Sequence, residues 1–262
     1  MNILILISAL YFICSIIYIA NLWIQNNSYS KIGLYIGILG FVIQSYYLAS
    51  LIIGGDNLIG GLGKSLFLFA WFIPFVFLIS LFFYRLPSIG TFIFSLAFIG
   101  TAPALIPPSG VIVSDPTLNN PWILAHVILI FLGLAFFAVA FVAGIFYIFE
   151  EKEIKEKKLG RINITLPSLN TLDKVNHFSL LSGFSIITLG LAVGFFAANH
   201  IWGNNWHWGN KETWSILSWL LYAILLNFRL SSGWKGRKAA TGAIIGFCII
   251  LFTLLIQYVI PS

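Results

Sequence analysis

Eight long apolar runs constrain this chain more than any other feature of its sequence. They cover approximately residues 3–24, 32–54, 65–84, 88–107, 122–149, 178–199, 213–228 and 239–260. A helix needs about 20 apolar residues to cross a bilayer, so each run has roughly the length of one span. Because 60% of the residues are hydrophobic and only 8% are charged, a soluble fold is excluded. The sequence predicts an all-α, polytopic transmembrane helical bundle that forms a single integral membrane domain over residues 1–262.

The distribution of basic residues predicts the orientation of these spans. Lys and Arg near helix ends stay on the cytoplasmic side, and with an outer N-terminus all of the 14 except Lys64 and Lys211 lie inside. Both termini and the segment 202–214 are then on the outer side of a bacterial cytoplasmic membrane or an equivalent membrane. The net charge of +6 follows from this asymmetry, so it does not indicate nucleic-acid binding.

The longest polar stretch, about 150–177, is predicted to be a cytoplasmic loop. At its start Glu151 precedes Lys155, and Glu153 precedes Lys157, at a spacing that stabilises helices. We therefore expect the fifth helix to continue beyond the bilayer, and residues 163–176 to form a connecting loop.

The segment 202–214 is rich in tryptophan, with Trp202, Trp206, Trp208 and Trp214 lying between two apolar runs. Gly and Asn among them permit tight turns, which can hold several indole faces as one flat surface. An ordinary aromatic belt is the alternative, because tryptophan favours membrane interfaces. A flat apolar surface beside histidines suits a flat aromatic ligand that carries a metal.

Three of the four histidines are predicted to lie on the same side as this segment. His126 lies just inside the fifth span, while His200 and His207 flank or fall within the segment, and His177 begins the sixth span at the inner face. A histidine at a membrane edge is often only a tolerated polar residue. His126 is the strongest candidate ligand, because an ionisable side chain inside a span is costly unless it has a partner. Imidazole is a common ligand of haem iron.

Other kinds of chemistry find little support in the sequence. Cys14 and Cys248 fall inside predicted spans with no CxxC or CxxCH, so neither a disulfide nor covalent haem attachment to this chain is expected. The acids predicted outside, Asp56, Asp115 and Glu212, are far apart and suggest no general acid–base pair. Polar residues inside the spans are mostly uncharged, which disfavours an ion-coupled transporter. A small-molecule transporter or a structural membrane subunit stays open.

The tryptophan segment resembles a family signature. Its pattern, Trp202-Gly-x-x-Trp206-x-Trp208-x-x-Lys-Glu-Thr-Trp214, is similar to the WGxxWxWDPKETW motif of the CcsA/ResC family, the haem-handling membrane subunit of system II cytochrome c maturation. The resemblance extends from about residue 172 to residue 238 and, more loosely, to 64–71. It implies that b-type haem, bound non-covalently and transiently, is presented on the outer face near the tryptophans for attachment to apocytochrome c.

The resemblance also implies ligands and partners. His126, in Ala125-His126-Val127, matches the first outer histidine of the family, and His207 or His200 is expected to replace the second as a ligand of haem iron. The family implies a cytochrome c haem lyase or synthase in which this chain is one component. Its expected partners are haem, the lipid bilayer, a ResB/Ccs1-like membrane protein and apocytochrome c.

The sequence departs from the family pattern at three points. The Asp-Pro of the motif is Gly209-Asn210, a seventh-span histidine is Asn227, and the second outer histidine, expected after the last span, does not occur before Ser262. These departures favour, as an alternative, a paralogue without synthase activity that resembles the HemX-type regulators of tetrapyrrole synthesis.

A cysteine placed at Asn205 tests the predicted orientation. In intact cells it should react with a membrane-impermeant thiol reagent, because residue 205 is predicted on the outer side. The chain without the added cysteine is the control, since Cys14 and Cys248 are expected inside spans. Labelling that occurs only after cell lysis would contradict the orientation.

Overall fold

The described part of the chain is mostly helical and contains no strand. The computed structural model describes residues 2–24, 26–59, 61–84, 89–106, 120–156, 167–203 and 209–259, with their side chains except at 27, 202, 210, 211 and 254–259. It contains eight α-helices in these ranges: α1 (Asn2–Ile24), α2 (Asn27–Ile53), α3 (Leu62–Tyr84), α4 (Gly90–Thr101), α5 (Pro121–Lys155), α6 (Leu169–Trp202), α7 (Asn210–Ser231) and α8 (Arg237–Val259). A short 3₁₀ segment, Ala102–Leu105, follows α4.

These helices coincide with the eight apolar runs, and the predicted all-α class is confirmed. Among the described residues, α1, α2, α3, α5, α6 and α7 are long and apolar enough to cross a membrane, and Gly90–Leu105 is a shorter apolar helix. The chain is an integral membrane protein. The number of crossings, the outer position of both termini and the single domain over residues 1–262 stay predictions.

Two helices extend into the polar stretch 150–177. α5 continues to Lys155, as the charge spacing predicted. The loop predicted for residues 163–176 is wrong from Leu169 onward, because α6 begins there. Ser168 precedes it as the N-cap, and its Oγ accepts a hydrogen bond from the Thr171 amide (3.4 Å), which satisfies a backbone donor at the helix start.

The helices form two compact units. In the first, α1 packs against α2 and α4, and α3 packs against α4 and the 3₁₀ segment. Two hydrogen bonds join three of its helices: the Tyr11 hydroxyl donates to Gln44 Oε1 (2.7 Å), and Gln44 Nε2 donates to the Phe67 carbonyl (2.9 Å). Such bonds between side chains and backbone hold helices together where lipid offers no partner.

The second unit contains α5 through Lys152 and helices α6–α8. Its helices approach closely at glycines: a Cβ atom on Gly133 of α5 would lie 3.0 Å from the Gly183 carbonyl oxygen of α6. A Cβ on Gly144 of α5 would likewise lie 2.9 Å from the Ala240 carbonyl oxygen of α8. Small residues let helix backbones pack at this distance. α5 and α7 begin where α6 and α8 end, so the unit has two ends with different side chains.

Arg229 and its partners close one of these ends, called here the Arg229 cluster (Arg229, Asp173, Asn176 and His177). Arg229 Nη2 donates to Asp173 Oδ1 (2.9 Å), and Nη1 donates to Asn176 Oδ1 (2.7 Å). Arg229 Nε donates to His177 Nδ1 (2.9 Å). Asn176 Nδ2 in turn donates to the Ala140 carbonyl of α5 (2.8 Å). Because a guanidinium presents its donors in a rigid fork, the cluster fixes α7 against α6 and, through Asn176, against α5.

Replacement of Arg229 tests the role of this cluster. Arg229→Met should lower the free energy of unfolding by about 1–3 kcal/mol, because Asp173, Asn176 and His177 lose the hydrogen bonds that Arg229 donates. Arg229→Lys should lose less, since it keeps the charge without the fork. Thermal unfolding in detergent measures both.

Arg237→Met is the matched control for this prediction. Arg237 also pairs with a carboxylate, Glu151 (3.3 Å), but its side chain is 61% exposed whereas that of Arg229 is 4% exposed. Exposed pairs contribute roughly 1 kcal/mol or less. Equal losses in the two variants would contradict a special role for the Arg229 cluster.

Candidate functional site

A cleft opens among α5, α6, α7 and α8 at the end of the second unit opposite the Arg229 cluster. His126 and five aromatic residues contribute to its lining: Phe137, Phe184, Trp214, Trp219 and Tyr222. The cleft has a volume of about 110 Å³ and is open on one side. Ligand pockets usually measure about 300–1,000 Å³, so the described residues would surround only part of a ligand of that size.

His126 lies near the start of α5 and is half-buried. Its Nδ1 lies 2.7 Å from the Gly190 carbonyl oxygen of α6. A carbonyl oxygen only accepts hydrogen bonds, so Nδ1 carries the ring proton. In the neutral ring the lone pair of Nε2 is then free, and a ring nitrogen in this state is the atom that binds a metal.

Gly194 provides the space that the His126 ring fills. A Cβ atom at Gly194 would lie 2.5 Å from Nδ1 and 2.7 Å from Cε1 of His126, which is too close for any side chain. Gly190 and Gly194 lie one turn apart on α6: one supplies the carbonyl, and the other supplies the room. Together they set the position of the ring and the location of its proton.

Two pairs of stacked aromatic rings contribute to the cleft wall. Phe137 and Tyr222 stack with centroids 3.6 Å apart and an angle of 5° between their planes. Phe184 and Trp219 stack with centroids 5.6 Å apart and an angle of 23°. Trp219 Nε1 also donates to Thr188 Oγ1 (2.9 Å), so the one polar atom of the indole is satisfied. The walls thus offer fixed apolar faces to a flat ligand.

These groups suit a metal held in a ring better than a bare metal ion. Within the described ranges, no three His, Cys, Asp or Glu residues come together as a metal site. A bare metal ion would need more protein ligands than His126 and its described neighbours supply. A metal in a flat macrocycle brings most of its own ligands and needs only one or two from the protein.

The same chain matches a known family over almost its whole length. The family profile described as Cytochrome C assembly protein matches residues 3–260. The chain belongs to this family. The resemblance to CcsA seen in the sequence is thereby confirmed.

Relatives named "Cytochrome c biogenesis protein CcsA" support the same assignment. The protein of Chlamydomonas reinhardtii is 32% identical over 142 residues, which are 53% of this chain and 38% of the relative. That of Prochlorococcus marinus (strain MIT 9301) is 33% identical over 155 residues, which are 52% of this chain and 50% of the relative. That of strain MIT 9215 is 29% identical over 255 residues, which are 88% of this chain and 82% of the relative. The matches to the first two thus span half or less of the relative's length.

In this cytochrome c assembly family member, two of the predicted site residues meet in the cleft, His126 and Trp214. His200 is exposed near the end of α6 and does not line the cleft. The remaining predicted site residues lie outside the described residues or, for Trp202, outside the described side chains: Trp202, Trp206, His207 and Trp208.

His177 has the opposite proton arrangement to His126. Its Nδ1 accepts the hydrogen bond from Arg229 Nε, so Nδ1 is unprotonated and the neutral ring carries its proton on Nε2. Both ring nitrogens are therefore unavailable to a metal in this arrangement. His177 therefore stabilises one end of the unit, whereas His126 can bind a ligand at the other end.

Trp219, Thr188 and Gly194 belong to the site but were not predicted from the sequence. Trp219 lies just after the signature, and helical spacing places it near the face that carries Trp214 and Tyr222. A helical-wheel projection of α7 could therefore have found it. Thr188 and Gly194 carry no comparable signal, because their roles depend on how α6 packs against α7 and α5.

A double-mutant cycle tests the contact between Gly194 and His126. Gly194→Ala should lower the free energy of unfolding by about 1–3 kcal/mol, because the added methyl group overlaps the ring. In a His126→Ala background the same change should cost much less, since the ring is gone. Thermal unfolding of the four proteins measures the coupling. Equal costs in both backgrounds would contradict the contact.

Proposed function

We propose that this protein handles haem in cytochrome c maturation and presents it on the outer face of the membrane for attachment to apocytochrome c. The proposal rests on the free Nε2 lone pair of His126, which the bond from Nδ1 to Gly190 leaves inside an aromatic cleft. The relatives named for cytochrome c biogenesis support the process.

Haem fits the donor set of the cleft. Histidine is a usual axial ligand of haem iron, and the stacked pair of Phe184 and Trp219 offers an apolar surface to the macrocycle. Neither Cys14 nor Cys248 lines the cleft, which agrees with the proposal that the haem is b-type and held without a covalent bond. With a volume of about 110 Å³ the cleft would surround only one part of the ring, and we propose that the haem is bound transiently.

The second iron ligand is proposed to come from the tryptophan segment or from the residues just before it. His200 lies shortly before the segment, and His207 lies within it. Either would complete a pair of imidazole ligands with His126. Trp202, Trp206 and Trp208 are proposed to extend the apolar surface that Trp214 provides at the cleft.

Two protein partners follow from this role. The described residues are mostly in helices of membrane-spanning length, which is compatible with a partner that supplies a binding surface for apocytochrome c. We propose that a ResB-like membrane protein supplies it. This chain would then serve as the haem-presenting component of a cytochrome c haem lyase or synthase.

A second candidate function is binding of a tetrapyrrole without its attachment to apocytochrome c. Asn227, which replaces a histidine of the family pattern, is exposed, and its Oδ1 accepts a hydrogen bond from Ser231 Oγ (3.0 Å). An amide in this position supplies no imidazole ligand. A HemX-like regulator of tetrapyrrole synthesis would need the cleft but not the attachment chemistry.

The absorption spectrum of the protein purified in mild detergent tests haem binding. The wild type should retain haem with a low-spin spectrum, and His126→Ala should lose the haem or its low-spin character, because one axial ligand is gone. His177→Gln is the control, since its amide oxygen can still accept the bond from Arg229. His200→Ala and His207→Ala, examined in the same way, identify the second ligand.

Two results would count against the proposal. A spectrum unchanged in His126→Ala would remove His126 as the ligand. Haem binding that depends on His126, combined with normal cytochrome c maturation in cells that lack the protein, would favour the regulator over the maturation component.

A further inference from the structure

We propose that Trp219 is the wall against which the porphyrin ring packs, and that Thr188 is the residue that positions it. This inference rests on the proposed function, because it names how the same cleft holds the ring of its ligand. The contact between Trp219 and the porphyrin ring would not depend on iron, whereas the contact of His126 is with the iron itself.

Trp219 and His126 both line the cleft. Trp219 is hydrogen-bonded to Thr188, and His126 is hydrogen-bonded to Gly190 on the same helix. Two residues along a helix correspond to about 3 Å of rise, so the two side chains are held at similar heights along α6. A flat ring that reaches from the Nε2 of His126 across the cleft would contact the indole of Trp219.

Thr188 and Phe184 fix the plane of this indole. The Thr188 hydroxyl donates to the Phe184 carbonyl (2.8 Å) and accepts from Trp219 Nε1 (2.9 Å). The Phe184 ring stacks on the indole from one side. With one face covered and its N–H bonded, the indole keeps its remaining surface for a ligand at little cost in side-chain entropy.

The stacked pair Phe137 and Tyr222 limits the depth of the cleft. Phe137 packs at Gly183, where a Cβ atom would lie 2.6 Å from the Phe137 Cδ1. Gly183 is about 10 Å along α6 from Gly190. The pair thus forms a floor well below His126, in keeping with an enclosed space of about 110 Å³. One edge of a flat ring can therefore enter the cleft beside the Trp219 indole, as far as the Phe137–Tyr222 pair.

Metal-free protoporphyrin IX separates the two contacts, because it has the ring but no iron for His126. The full-length protein in mild detergent should bind it, as measured by porphyrin emission and by co-elution with the protein in gel filtration. His126→Ala should bind it about as well as the wild type. Trp219→Leu should bind it roughly 3- to 10-fold more weakly, the loss expected for one aromatic contact.

Thr188 variants test the positioning role while leaving the indole in place. Thr188→Val removes the hydroxyl that accepts from Trp219 and should weaken porphyrin binding roughly 2- to 5-fold. Thr188→Ser restores a hydroxyl and should restore binding. The part of the tryptophan emission that Trp219→Leu removes is expected to be quenched by porphyrin in Thr188→Ser as in the wild type, and less in Thr188→Val, a signature that a loss of stability alone would not produce.

A further variant serves as the control. Trp122→Leu removes a tryptophan of the same unit that is 54% exposed, and it should leave binding unchanged.

The outcomes distinguish this inference from the proposed function. Wild-type porphyrin binding in both Trp219→Leu and Thr188→Val, with haem still dependent on His126, would overturn the ring wall and leave the haem site standing. Failure of the wild type to bind metal-free porphyrin while it binds haem would do the same. Porphyrin binding that requires Trp219, with a haem spectrum indifferent to His126, would support the wall and overturn the iron ligand.

Discussion

The candidate site depends on the hydrogen bond from His126 Nδ1 to the Gly190 carbonyl (2.7 Å). A neutral imidazole has one donor and one acceptor nitrogen, and the partner of one decides the role of the other. The carbonyl comes from a helix backbone, so it cannot rotate away as a side chain can. The bond also satisfies the polar N–H of a residue in an apolar helix, where an unpaired donor is costly. This one hydrogen bond therefore lowers the free-energy cost of a histidine in an apolar helix, and it leaves Nε2 available to a ligand.

The second unit uses histidine and polar side chains differently at its two ends. At one end Arg229 draws α6 and α7 together through several short hydrogen bonds, and Asn176 adds α5. At the other end the same helices are separated by a cleft with aromatic walls. Burial of charged groups costs free energy unless each of them is hydrogen-bonded. At Arg229 this requirement is met, because each nitrogen of its guanidinium donates a hydrogen bond within the cluster. Because the Arg229 cluster fixes α6 and α7 at one end, these helices can stay apart at the cleft and still keep their positions along each other.

Much of the fold could be predicted from the sequence because the bilayer imposes it. The length of an apolar run determines a helix, and all eight runs became helices in the described ranges. The main error was at the start of α6, where Asp173 and Asn176 resemble loop residues but lie in the helix. Their polarity is matched by Arg229, which is distant in sequence, and no local pattern could reveal that pairing.

The site was predictable only in part. His126 could be identified because an ionisable residue inside an apolar span calls for an explanation, and Trp214 because the family signature contains it. The roles of Gly194, Thr188 and Trp219 depend on which turns of neighbouring helices face one another. Glycine in particular gives no positive signal in a single sequence, yet at position 194 the absence of a side chain is what admits the imidazole.

Chemical rescue of His126→Gly tests the central claim most directly. This variant should lack the low-spin haem spectrum, and added imidazole should restore it in a saturable manner, because the free base can occupy the space of the missing ring and supply its nitrogen to the iron. N-methylimidazole should rescue less well, since its methylated nitrogen cannot donate to the Gly190 carbonyl. A spectrum that is normal without imidazole, or that the two bases restore equally, would contradict the account of His126 and Gly190.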